Sequence, residues 1–105
     1  MSEQIHTAGP AAYVINQIRI TDPDRYMTYA KAALPTIHAY GGEILVRGGA
    51  PESLAGPGDV DRVVLIRFES RQQARAWRTS PEYTAILPIR EASSVSTVYV
   101  VDAAE

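Results

Sequence analysis

A chain of 105 residues with a formal net charge of −2, 46% hydrophobic and 21% charged residues has the size and balance of one globular domain. Its ten basic side chains are scattered among twelve acidic ones, which leaves no electrostatic footprint for a nucleic-acid backbone. Cysteine is absent, removing disulfides, thiol nucleophiles and thiolate metal sites, and every apolar run is far shorter than the roughly 20 residues of a membrane span.

Residues 1–11 read as a flexible polar leader without the basic start and apolar stretch of a signal peptide, so a cytoplasmic location is expected and one domain is assigned to residues 12–105. Ala12 to Ile20 is rich in β-branched and aromatic residues and predicts the first strand. Thr21 or Asp22 can cap the helix that follows, with Pro23 near its first turn. Tyr26, Ala30, Ala33, Leu34 and Ile37 then recur at spacings of three and four, predicting an amphipathic helix to about Tyr40, stopped by Gly41-Gly42. Pro35 lies inside it and predicts a kink or break. Glu43 to Gly49 predicts a second strand, Ala50 to Asp59 a loop dense in Gly and Pro, and Val60 to Glu69 a third strand. Ser70 caps a helix through about Thr79, Ser80-Pro81 breaks it, a further turn is expected around Tyr83 and Ile86, and Val95 to Asp102 predicts the last strand.

The order β-α-β-β-α-β is that of the ferredoxin-like α+β fold, a four-stranded antiparallel sheet with both helices on one face. Two helices can cover only that face. The strands nonetheless alternate apolar residues to both sides: Val64, Ile66 and Phe68 against Val63 and Leu65, and Val98 and Val100 against Val95, Tyr99 and Val101. An apolar face left without a helix predicts a sheet-to-sheet homodimer.

The residues Ala12-Tyr13-Val14-Ile15, Thr21-Asp22-Pro23, Tyr29, Tyr40-Gly41-Gly42, Leu45-Val46-Arg47-Gly48-Gly49, Arg62-Val63-Val64, Ser80-Pro81-Glu82-Tyr83 and Leu87-Pro88 with Arg90 resemble the DUF1330 family of the dimeric α/β barrel superfamily. The likeness extends over nearly the whole chain, from Ala12 to Val101. It implies a ferredoxin-like protomer whose sheet packs on that of its partner. The superfamily includes cofactor-free monooxygenases, lactone isomerases, haem-handling enzymes, polyketide cyclases and ligand-sensing modules, so the likeness does not select a chemistry. His38, just before the Tyr40-Gly41-Gly42 turn, departs from the pattern expected of the family.

Candidate chemistry rests on few side chains. With two histidines, one of them in the leader, a zinc site within one chain is not expected, and no nucleotide-cofactor motif is present. His38 carries an imidazole, the side chain suited to general acid or base work, and is a candidate for it; a helix-terminal histidine favoured by the helix dipole is the plainer alternative. Arg47 can hold a ligand carboxylate in a bidentate fork, or pair with Glu43 or Glu69. Asn16 interrupts an inward apolar alternation and must find a partner, either a ligand or backbone. Tyr26, Trp77, Tyr83 and Tyr99 are candidate walls for a small aromatic or polyketide-like ligand, against the alternative that they are core. Arg90 is expected to pin down the segment that follows Tyr83.

These readings lead first to a cofactor-independent enzyme, an isomerase, cyclase or dehydratase, in which Arg47 anchors the substrate and His38 moves the proton. The second is a cofactor-free monooxygenase acting on an electron-rich aromatic. The third is a non-catalytic dimeric module for ligand binding or the stress response.

Overall fold

Four strands and four helices follow one another along residues 10–104, the part of the chain described by the structure, a computed structural model: β1 (Ala12–Ile20), α1 (Pro23–Ala39), β2 (Glu43–Gly48), β3 (Arg62–Phe68), α2 (Arg71–Arg78), α3 (Pro81–Thr84), α4 (Leu87–Ser93) and β4 (Ser94–Asp102). The leader expected over residues 1–11 falls, but for its last two residues, outside the described residues. The strands pair in the order β2-β3-β1-β4, each neighbouring pair antiparallel. This is the expected ferredoxin-like α+β fold.

Local chemistry sets the helix boundaries. The Asp22 carboxylate accepts the backbone N–H of Arg25, and Pro23 occupies the first turn, where its missing N–H costs nothing. Ser70 and Ser80 cap α2 and α3 in the same way, accepting from the N–H groups of Gln73 and Tyr83 at 3.0 and 3.1 Å. Pro35 does not break α1, which runs on to Ala39. The interior proline forgoes one hydrogen bond, and packing of Ala33, Thr36 and Ile37 in the core holds the turn around it. Gly41, at φ 78°, turns the chain out of the helix, its N–H donating to the carbonyl of His38. Gly42 serves close packing instead, since a Cβ there would lie 2.6 Å from Ile37 and 2.8 Å from Phe68.

β3 is shorter than predicted. Asp61 stands outside it and closes the sheet end from a loop position, its carboxylate accepting the N–H of Ile20 at 2.8 Å and its own N–H donating to the carbonyl of Ile18. The turn expected around Tyr83 and Ile86 is two short helices, α3 and α4. The carbonyl of Ser93, at the end of α4, accepts the N–H groups of Thr21 and Asp22, which fixes α4 beside the start of α1.

The helices cover the face that carries Val14, Ile18, Ile66 and Phe68, and the core forms there. A run of aromatic rings passes through it: Tyr26 to Tyr29 at 5.5 Å, Tyr29 to Tyr83 at 6.2 Å, Tyr83 to Trp77 at 4.4 Å and Trp77 to Phe68 at 5.6 Å. On the other face β4 leaves Val95 and Tyr99 each 56% exposed, with Val101 and, on β2, Leu45 also open. Val63, Leu65 and Ile15 lie between them on the central strands, half-buried. Both faces are therefore apolar, as the alternation predicts. No helix among the described residues is long and apolar enough to cross a membrane.

Candidate functional site

Between α1 and the helix-covered face of the sheet lies a cavity of about 210 Å³. Its walls are largely apolar, formed by Ala33, Leu34 and Ile37 of α1, by Ile44, Val64 and Ile66 of the sheet, and by Trp77 of α2. Polar groups enter from both layers: Tyr26, Tyr29 and Lys31 from α1, and Asn16, Arg47 and Arg62 from the sheet. An engineered apolar cavity of about 150 Å³ accepts benzene. One ring with a substituent, or a short chain, suits the volume here.

Strand register explains how the sheet residues reach the cavity. Val64 pairs with Asn16 on β1 and with Arg47 on β2, so the three side chains form one row across three strands. Arg62 lies two residues along β3 on the same face, opposite Ile18. The position of Arg47 in that row depends on an irregularity. Ile44 pairs with Ile66, but Val46 pairs with Leu65, so β2 carries one extra residue between them. A bulge of this kind reverses the faces of every residue beyond it. Without it, Arg47 would stand opposite Val63 on the open face.

The charges of the site are unbalanced. Among the described residues the ion pairs are Arg25–Asp22 and Arg71–Asp102, and neither Arg47, Arg62 nor Lys31 takes part in one. The partners Glu43 and Glu69 considered for Arg47 are not in ion pairs with it. The Arg62 guanidinium lies over the ring of Tyr26, 5.4 Å from its centroid, and its Nε is buried without a hydrogen-bond partner. Asn16 is 4% exposed, and its Oδ1 accepts a long 3.5 Å contact from Nη1 of Arg90, itself 7% exposed. This ties α4 to β1 as the pinning role of Arg90 anticipates, yet Nε of Arg90 also has no partner.

Burial raises the pKa of Tyr26, and the Arg62 guanidinium opposes the shift. Burial pushes Tyr29 far above the ordinary phenol value, with the neighbouring Tyr83 adding to it; their hydroxyls lie 2.8 Å apart. Both phenols in the cavity wall are neutral at physiological pH and can donate.

The residues singled out in the sequence separate into two groups. Asn16, Tyr26, Arg47 and Trp77 line the cavity. Tyr83 is wholly buried in the core behind it, bonded to Tyr29. Tyr99 stands on the opposite face of the sheet, since it pairs with Ile15 while the neighbouring Val98 pairs with Asn16. His38 is exposed in the last turn of α1 and does not line the cavity, so it does not share a site with Arg47. Trp77 Nε1 donates to the hydroxyl of Thr36 at 3.0 Å, which ties α2 to α1 beside the cavity.

Tyr29 and Arg62 had no role in the sequence reading of the site. A signal for each was present: Arg62 continues the inward alternation Val64, Ile66, Phe68, and Tyr29 lies three residues after Tyr26 and four before Ala33 on the buried stripe. Among the described residues no three His, Asp or Glu side chains gather as metal ligands.

The family model described as "Domain of unknown function (DUF1330)" matches residues 11–104. No curated protein matches the chain. Among solved structures, a protein of unknown function from Rhodopseudomonas palustris, RPA0582, is similar with a TM-score of 0.79 and 18% identity, over 91% of this chain and 84% of that one. A dimeric ferredoxin-like protein of unknown function from Thermobifida fusca is similar with a TM-score of 0.64 and 21% identity, over 98% and 100% of the two chains. SnoaB, a cofactor-independent oxygenase from Streptomyces nogalater, is similar with a TM-score of 0.64 and 12% identity, over 92% and 96%. At these identities the likeness establishes the fold, and it links the chain to enzymes only at that level.

Proposed function

The chain belongs to the DUF1330 family, and we propose that it is a cofactor-independent enzyme for a small organic substrate, working as a homodimer with a site between α1 and the sheet of each protomer. The observation that carries this reading is the cavity: a largely apolar space of about 210 Å³ into which phenol, amide and guanidinium groups converge. A substrate whose carbonyl or hydroxyl lies against Arg62 and Tyr26 loses a proton to water at the cavity mouth more readily, because these donors stabilise the anion left behind. Return of the proton at another carbon is isomerisation, its delivery to the alkoxide formed when the anion attacks a second carbonyl is cyclisation, and its departure with an expelled hydroxide as water is dehydration. His38 has no part in this reading, since it lies outside the cavity.

One observation favours a second chemistry. No imidazole or carboxylate lines the cavity among the described residues, so a substrate acidic enough to ionise unaided suits it best. An electron-rich hydroxyaromatic anion that reacts directly with oxygen is such a substrate, and SnoaB, described as a cofactor-independent oxygenase, shares the fold. Oxygen consumption during turnover selects this chemistry; turnover without it selects proton transfer.

The test is a thermal-shift and turnover screen of single-ring and short-chain compounds. Compounds that stabilise the protein and are converted are expected to lose both effects in Ala30→Trp, which fills the cavity, and to keep both in His38→Ala. Loss of turnover in His38→Ala with the cavity intact would return the proton-transfer role to His38. The dimer has its own test: Tyr99→Asp on the open apolar face is expected to give monomers in sedimentation at micromolar concentration. A wild-type protein that sediments as a monomer overturns the dimer.

A further inference from the structure

The cavity is cationic in a protein of formal net charge −2. Lys31, Arg47 and Arg62 line it, and no carboxylate does so among the described residues. Behind Asn16 stands Arg90, more than nine-tenths buried, touching the amide oxygen at 3.5 Å. A buried guanidinium normally has an anionic partner, because removing its charge from water is costly unless it is paired. Here Nε of both Arg62 and Arg90 is buried with no partner.

Arg62 reaches the cavity from β3 and Arg47 from β2 through the bulge, while Arg90 of α4 stands behind Asn16 without lining the space. A lone unpaired cation could be an accident of packing. Two guanidinium groups and a lysine on the wall of one apolar space, with a third guanidinium buried behind Asn16 and no carboxylate lining the space among the described residues, make an environment suited to an anion. Gly48 adds room, since a Cβ at that position would sit 3.2 Å from Nη1 of Arg62. The apolar remainder under α1 requires that the anion carry a hydrophobic body.

Resting on the reading of the cavity as a ligand site, we propose that its ligand is a small organic acid, whose carboxylate is taken by Arg62 with Arg47 and the amide of Asn16, and whose single ring or short chain lies under α1 against Trp77. Arg62 supplies the bidentate fork and Tyr26, a neutral phenol, donates beside it. The unpaired positive charge also steers acids toward the cavity mouth, an effect that weakens with salt.

Matched probes test this on the full-length protein: benzoate against benzyl alcohol, and hexanoate against hexanol, titrated by calorimetry and by NMR of the arginine Nε–H signals. The acids are expected to bind at least tenfold more tightly than the alcohols, to move the Arg62 signal where the alcohols do not, and to lose their advantage in Arg62→Met. The wild-type NMR titration decides the matter if that variant fails to fold. Equal binding of acid and alcohol overturns the acid inference and leaves the cavity standing as a ligand site. An acid preference that survives in Arg62→Met also overturns the assignment to this arginine. Binding of none of the four probes overturns both the inference and the reading of the cavity beneath it.

Discussion

Trp77→Ala is expected to lower the melting temperature by about 15–30 °C, since emptying a buried Trp site costs about 3–5 kcal/mol and a domain of this size shifts by several degrees per kcal/mol. The side chain is 1% exposed, touches Phe68 and Tyr83, and donates to Thr36. It therefore joins α2, α1 and β3 in one contact, and since it also lines the cavity its removal is expected to enlarge that space. Trp77→Phe keeps most of the volume and loses the Thr36 bond, whose oxygen still donates to the carbonyl of Ala33. A loss of only about 1–2 kcal/mol is expected for it, from the reduced packing and one hydrogen bond. Calorimetric melting of the two variants checks both values; near-equal losses would mean that the hydrogen bond, and not the indole volume, holds the helices together.

Stability is expected to fall steeply above pH 10. Tyr29 ionises near its ordinary value of 10.0 in the unfolded chain, while burial keeps it protonated in the native state. The unfolded state then binds fewer protons than the native one, so stability decreases as pH rises, by about 1.4 kcal/mol per pH unit for one such group. Below pH 10 both states hold the proton and the contribution is fully present. Tyr26, shifted in the same direction, adds to the slope. Tyr29→Phe removes this linkage but leaves the Tyr83 hydroxyl without its 2.8 Å partner. The variant is expected to melt lower than wild type at neutral pH and to show a flatter decline between about pH 10 and 11.5. A slope unchanged by Tyr29→Phe would assign the alkaline loss to other groups.

The candidate site was legible in part. Asn16 announced itself as a polar residue on an inward-facing alternation, and Tyr26 and Trp77 as large residues on buried stripes; all three line the cavity. Arg62 carried the same kind of signal as Asn16, a polar residue continuing an apolar face, but a charged residue at a strand end reads equally well as solvated. Tyr83 and Tyr99 could not be sorted from Tyr26 by residue type. Tyr83 is in the core because α3 turns its hydroxyl onto Tyr29, and Tyr99 is on the open face because its strand parity differs from that of Val98 and Val100.

Local patterning by itself determined the β-α-β-β-α-β order, a cap at Thr21 or Asp22 and another at Ser70, the helix stop at Gly41-Gly42 and the apolar character of both sheet faces. These depend on hydrophobic period and on side chains bonding to backbone a few residues away, and both are written in short windows of sequence. The site was decided elsewhere. Whether Arg47 faces the cavity or the open face depends on one extra residue in β2, which the spacing of side chains does not reveal until β2 is paired with β3. Whether His38 meets Arg47 depends on where the last turn of α1 ends relative to the sheet. Whether Arg62 and Arg90 find acids to pair with depends on elements more than twenty residues apart in sequence. Tertiary packing alone sets these distances, because a charge is satisfied or left unpaired by its neighbours in space and not by its neighbours in the chain.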